Sequence, residues 1–277
     1  MYAAPGRLLG TPKEVMKVDN KRKIKVSGLD VYVTIANADN LISKNVALCL
    51  DTAILEPSDL MIAIVTSRAF SNIQQRVITP LREIGADLSK VYCLAAEGAQ
   101  CLHYKNGVWE EDWSYVLSDE QKADIQEKLL EAMRQVNLLP KSRDLSNHFD
   151  DRGGMITLSM LGKDASKQAK AEFDPRGFKR SKICDAFRAL PGSEAYGLTP
   201  GGRTSIDVRL KGQDKGTALC ELAEMMGLNL KQVVHFGDGF DKGNDYPVLK
   251  AGITGINVTG GPEHFITLFN ALYDGIC

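Results

Sequence analysis

Several features that would settle the class of this protein at once are missing from its sequence. No apolar run approaches the roughly 20 residues needed to cross a bilayer, and residues 1–22 lack the contiguous apolar stretch of a signal peptide. The six cysteines (Cys49, Cys93, Cys101, Cys184, Cys220, Cys277) are scattered, with no Cys-x-x-Cys pair. Neither a zinc site nor a disulfide framework is indicated, and they read as reduced, mostly buried side chains. Charge of neither sign prevails: the formal net charge of -1 over 277 residues removes any global attraction to nucleic acid or to an anionic membrane. The expectation is a cytoplasmic protein with a small-molecule partner, and neither nucleic acid nor membrane.

What remains is an ordinary globular chain with a length that suggests two domains. Residues 1–22 are polar, turn-rich and basic towards their end, and read as a flexible or loosely docked N-terminal extension. From Ile24 short apolar runs alternate with longer amphipathic segments: 24–29, a helix over 44–55, 60–65, a helix over 71–84, then 91–95. Such alternation predicts a parallel sheet covered by helices, an α/β Rossmann-like core.

The middle of the chain has another rhythm. A charged helix over 118–135 precedes strands at 147–149 and 155–160, a helix over 179–190, and strands at 195–198 and 204–209. Neighbouring strands in pairs suggest a small antiparallel sheet with helices. The first rhythm then resumes. The expected organisation is a core of residues 23–105 and 210–277, with an α+β cap of residues 106–209 inserted into it.

Ligands of open parallel sheets bind beyond the carboxyl ends of the strands. Four places there carry chemistry: Asp30 in Asp30-Val31-Tyr32-Val33-Thr34; Thr66-Ser67-Arg68; Lys215 at the start of a helix; and Gly237-Asp238 followed by Gly243-Asn244-Asp245. Carboxylates converging beyond one strand suit Mg2+, which takes hard oxygen ligands. An aspartate, a hydroxyl, a lysine and an acidic pair make a kit for phosphoryl transfer through an aspartyl phosphate. Asp30 is the expected nucleophile, Asp30, Asp238 and Asp245 the metal ligands, and Thr66 and Lys215 the holders of the phosphoryl oxygens. Thr34, Ser67 and Arg68, at the same strand ends, are read as substrate-binding.

The order Asp, Thr, Lys, Gly-Asp resembles the four motifs of the haloacid dehalogenase superfamily. Asp151-Arg152-Gly153-Gly154-Met155 is similar to the Asn-Arg-Gly element of its phosphomannomutase-like branch, and Thr204-Ser205-Ile206-Asp207-Val208 to the Ser-x-Asp strand there. The resemblance covers residues 23–275 and implies that Arg152 contacts phosphate and that Ser205 and Asp207 meet sugar hydroxyls. Lys163 stands where the mutases have a second arginine.

The first motif departs from the pattern Asp-x-Asp-Gly-Thr. With Asp30 as its first aspartate, Tyr32 takes the place of the acid/base and Val33 that of the glycine. A phenol with a reference pKa of about 10 is a poor group to give and take a proton near pH 7. Tyrosine also occurs there in 2-haloacid dehalogenases, but their fourth motif lacks the Gly-Asp present here. The leading expectation is a Mg2+-dependent phosphohydrolase acting on a small phosphorylated metabolite, a sugar phosphate, and slowed by Tyr32. The alternatives are a catalytically impaired relative that binds a phosphosugar or a partner, and a phosphomannomutase.

Overall fold

The computed structural model describes residues 5–18, 23–37, 40–55, 59–140, 144–241, 243–273 and 275. The chain divides into two compact units, residues 1–114 with 214–277, and residues 115–213.

The first unit begins with β1 (Leu8–Leu9) and α1 (Pro12–Val15), and continues through β2 (Val26–Leu29), α2 (Lys44–Leu55), β3 (Met61–Val65), α3 (Phe70–Ile73), α4 (Thr79–Glu83), β4 (Val91–Ala95), β5 (Gln100–Lys105) and β6 (Val108–Ser114). Its eight-stranded sheet has the order β1-β12-β11-β2-β3-β4-β5-β6, parallel from β1 to β4 and antiparallel beyond. The central strands are mostly apolar and almost wholly buried because both faces are covered, with Ser27 of β2 and His235 of β11 as buried polar exceptions. Along β3, Ile62 and Ile64 enter one core layer with Val46 and Leu50 of α2, while Ala63 and Val65 enter the other. That period of two is what lets one strand supply two layers.

The second unit holds α5 (Asp119–Gln135), β7 (Phe149–Asp151), β8 (Met155–Ser159), α6 (Lys167–Phe173), α7 (Phe178–Arg188), β9 (Tyr196–Gly201) and β10 (Ser205–Leu210). Its antiparallel sheet runs β7-β8-β10-β9. Ile156, Leu158, Ile206 and Val208 pack on Ile125 and Leu129 of α5 and on Ile183 and Phe187 of α7. The chain then returns to the first unit for α8 (Lys215–Met225), β11 (Val233–Gly237), α9 (Tyr246–Lys250), β12 (Thr254–Asn257) and α10 (Gly261–Leu272). No described helix is long and apolar enough to cross a membrane.

Three features differ from the sequence expectation. The described part of the N-terminal segment is built into the fold: Leu8 and Leu9 pair with Gly255 and Ile256 of β12, and Val15 is fully buried. Its overlooked signal is Thr11-Pro12-Lys13-Glu14, a capping box with proline at the first helical position. The insertion starts at 115 rather than 106, because Asn106 (φ 52°) and Gly107 (φ 86°) form the tight turn of the β5–β6 hairpin. Asn-Gly is the residue pair that such a turn selects. Finally, Cys49 on α2 is disulfide-bonded, against the reading of all six cysteines as thiols, whereas Cys93, Cys101, Cys184 and Cys220 are free.

Candidate active site

The parallel strands β2, β3 and β11 end side by side, and their carboxyl ends gather most of the residues singled out above. Asp30 follows β2 directly, its N–H donating to the Phe236 carbonyl of β11 at 2.9 Å. Lys215 is the first residue of α8, whose start is set by Asp214 in a capping box with Thr217. Close packing carries the lysine inward: a Cβ on Gly216 would lie 2.4 Å from the Pro247 carbonyl oxygen. Lys215 is fully buried, with Nζ 2.8 Å from both Asp30 Oδ1 and Asp245 Oδ1.

Asp245 is the hub of this network. Its Oδ1 also accepts from His235 Nε2 at 2.7 Å, and its Oδ2 from the Gly239 N–H at 2.8 Å. The glycines of Gly237-Asp238-Gly239 make room for it, since a Cβ on Gly237 would stand 2.4 Å from Asp245 Oδ2. Asp30, Asp238 and Asp245 each bring one carboxylate oxygen within 4.8 Å of the others.

Three carboxylates facing one ammonium leave an excess of negative charge, and the titration of the group reflects it. Burial pushes Asp30 up to about 6, Lys215 pulling it down and Asp245 and Asp238 adding to the rise. Asp238, though exposed, is also raised by partial desolvation, with Asp245 reinforcing it. For Asp245 burial is again the largest influence and acts upwards, but Lys215 and His235 together outweigh it and hold the group well below the usual carboxylate range. Lys215 is held above its ordinary value by Asp245 and Asp30, against the effect of burial. A hard divalent cation fits such a set, because it would relieve the repulsion that raises Asp30 and Asp238. Asp30 and Asp238 are the members best disposed to hold it, since both oxygens of Asp245 already accept hydrogen bonds.

Thr66 directly follows β3, fully buried, its Oγ1 accepting from the Arg68 N–H at 3.4 Å. It does not cap a helix: that place at the start of α3 is Ala69. Ser67 and Arg68 lie between the two. Thr34 is fully buried, and its hydroxyl has no hydrogen-bond partner among the described residues. Val33 has φ 64°, the left-handed region where a β-branched residue is strained. The hydroxyl of Tyr32 donates to Asn72 Oδ1 at 2.5 Å, with the guanidinium carbons of Arg68 and Arg76 5.1 and 5.7 Å from the ring centroid.

The remaining candidates form a second cluster, within the inserted unit. Asp207 Oδ1 accepts from Thr157 Oγ1 at 2.6 Å and lies 3.7 Å from Arg152 NH1, while Arg152 Nε donates to Asp150 Oδ2 at 3.0 Å. Ser205 lies two residues from Asp207 on β10 and so shares its face of the sheet. Arg209 is two further along and nearly buried, its NH1 donating to Thr199 Oγ1 at 2.9 Å. Sequence reasoning missed Arg209, and also His235, for which a polar residue inside the apolar run Val233-Val234-His235-Phe236 was the available signal. It missed Glu97 as well, a buried carboxylate at φ 58° whose N–H donates to the Thr66 carbonyl at 2.8 Å.

The fold is that of haloacid dehalogenase-like phosphatases. Among solved structures, an N-terminally truncated IMP-nucleotidase of Plasmodium falciparum superposes with a TM-score of 0.67 at 15% identity, over 94% of this chain and 73% of that one. A phosphatase of the superfamily from Bacteroides thetaiotaomicron gives 0.57 at 17% identity, over 92% and 96%. The family model of eukaryotic phosphomannomutase matches residues 57–273, and the chain belongs to that family. A probable phosphomannomutase of Caenorhabditis elegans is 28% identical over 145 residues, which is 51% of this chain and 56% of that protein. The match thus spans little more than half of that relative's length.

Proposed function

We propose that the protein is a Mg2+-dependent phosphohydrolase acting on a small phosphorylated metabolite, a sugar phosphate being the class suggested by the family, through an aspartyl phosphate on Asp30. The observation that carries this reading is the buried chain Asp30–Lys215–Asp245–His235, with the Asp238 carboxylate beside it at the strand ends. Lys215 keeps Asp30 in place and offers positive charge to phosphoryl oxygens, while Asp245 and His235 hold Lys215. A bound Mg2+, held by Asp30 and Asp238, would supply the charge neutralisation that an anionic substrate needs beside three carboxylates. Thr66 is the hydroxyl assigned to the remaining phosphoryl oxygens. Arg152, with Ser205 and Asp207, is the group assigned to substrate recognition, a planar guanidinium being suited to bidentate contact with phosphate.

The test is release of phosphate from a panel of phosphorylated metabolites with Mg2+, comparing the native chain with Asp30→Asn. Turnover lost in Asp30→Asn supports the assignment, and turnover that survives it removes Asp30 as nucleophile. The family match favours a second reading, a phosphomannomutase. It is checked by conversion between sugar 1- and 6-phosphates after priming with a bisphosphate, and absence of conversion removes it.

A further inference from the structure

Two residues beyond the nucleophile, the phenol of Tyr32 is fixed from several sides. Its proton is given to the amide oxygen of Asn72 at 2.5 Å, and Arg68 and Arg76 lie against its ring. Arg76 is itself anchored, donating from NH1 to the Asn40 carbonyl at 3.2 Å. To present its proton elsewhere, Tyr32 must give up the hydrogen bond to Asn72, while the arginines against its ring keep the phenol from swinging away. The acceptor it has chosen is an amide, which takes no proton in exchange. The position two residues after Asp30 is therefore filled by a group held out of proton transfer.

We infer that Asp30 is loaded by activated phosphates, acyl phosphates foremost, and that the aspartyl phosphate so formed is long-lived. The inference rests on the reading of Asp30 as nucleophile and narrows its substrate class. In the first step an Asp30 oxygen attacks phosphorus, and the bond from phosphorus to the acyl oxygen breaks. The departing carboxylate keeps the electron pair, and with a conjugate acid of pKa about 4 it leaves without a proton. A sugar phosphomonoester must instead expel an alkoxide, which needs a proton that Tyr32 does not offer, at a cost of about 100- to 10,000-fold in rate. In the second step water attacks phosphorus as the bond to Asp30 breaks, and the proton lost by that water must be taken up. The same gap slows this step whichever donor loaded the site. Leaving-group chemistry thus governs kcat/KM, whereas kcat for all activated donors converges on the hydrolysis of one intermediate.

The experiment follows the covalent phosphoryl group on the full chain by intact mass and by rapid-mixing bursts, with Mg2+ present. Acetyl phosphate, an aryl phosphate and a sugar 6-phosphate are the donors, on the native protein, Asp30→Asn and Tyr32→Asp. Acetyl phosphate is expected to label the native protein with a burst of one equivalent, and not to label Asp30→Asn. The sugar phosphate loads about 100- to 10,000-fold more slowly. Tyr32→Asp shortens the life of the label and speeds sugar-phosphate turnover over that same range, while loading by acetyl phosphate stays within a few-fold. Loading of the native protein by acetyl phosphate and sugar phosphate at rates within tenfold of each other overturns the inference, and this comparison requires no variant to fold. A label that Tyr32→Asp loses no faster than the native protein overturns it as well. Failure of every donor to label the native protein removes the assignment of Asp30 itself, a different result from labelling without leaving-group selectivity.

Discussion

Replacing Lys215 with methionine keeps most of the side-chain length and removes the one ammonium shared by Asp30 and Asp245. Both contacts are 2.8 Å and the lysine is fully buried, so neither carboxylate gains water in its place. Removing one partner of a buried pair costs about 3–5 kcal/mol, because the remaining charge stays desolvated. Asp245 keeps His235 and the Gly239 N–H, which places the loss within rather than above that range. For folding units of about 150–250 residues each kcal/mol moves the melting temperature by about 2–4 °C, so Lys215→Met should melt about 6–20 °C lower at pH 8. The deficit should shrink on acidification. Without the lysine both carboxyls are pushed up, and a group with a raised folded pKa regains its stability as the pH falls below that value. The assay is calorimetry of the metal-free protein at pH 8 and pH 5, with Asp30→Asn added to Lys215→Met as a control that should recover part of the loss. A fall of less than about 2 °C at pH 8, or equal deficits at the two pH values, refutes the buried-hub account.

Three further outcomes follow from the same geometry. Gly98 has φ 89° and a Cβ there would stand 2.0 Å from the Ala218 Cβ of α8, so Gly98→Ala should destabilise by about 2 kcal/mol or more in urea titration. Val33→Gly removes left-handed strain worth about 1–2 kcal/mol and adds about 0.5–1 kcal/mol of chain entropy, giving net stabilisation of up to about 1.5 kcal/mol. A clear loss of stability in that variant contradicts the strain. In the metal-free protein the Asp30 carboxyl should titrate near pH 6 by carbon NMR, and its midpoint should fall when Mg2+ is added or when Asp238→Asn removes a like charge. Since its unfolded value is near 3.8, Asp30 contributes stability that is full below that pH and lost as the pH rises through about 6.

Much of this fold was legible because parallel strands buried on both faces read as short, mostly apolar runs, as β2, β3, β4 and β11 do, with Ser27 and His235 the polar exceptions in β2 and β11. The edges were less so. β1 is only Leu8–Leu9, too short for any periodicity, and it joins the sheet by pairing with residues near the other end of the chain. The β5–β6 hairpin carries its signal in one pair, Asn106-Gly107, while its outer strand is largely polar, as an exposed edge strand tends to be. In the site, Asp30, Lys215, Asp238 and Asp245 were each readable from their place after a strand or at a helix start. Their sharing was not. That Asp245 spends both oxygens on His235, Lys215 and Gly239 depends on contacts between β11, α8 and the loop after β11, which no local pattern encodes.

Tyr32 shows most clearly where sequence reasoning stops. The sequence alone places a phenol at the position read as the altered acid/base, which leads to a slow phosphohydrolase ahead of an impaired binder or a phosphomannomutase. What that phenol can do depends on the direction of one proton. Asn72, forty residues away on α3, accepts that proton, and Arg68 and Arg76 lie close to the ring. These three residues belong to the β3–α3 connection and the helical segment after it, the same part of the chain that supplies Thr66. On the proposed reading, one segment would both offer the Thr66 hydroxyl to phosphate and withdraw the Tyr32 phenol from proton transfer, the form expected of a site that accepts phosphoryl groups readily and returns them to water slowly.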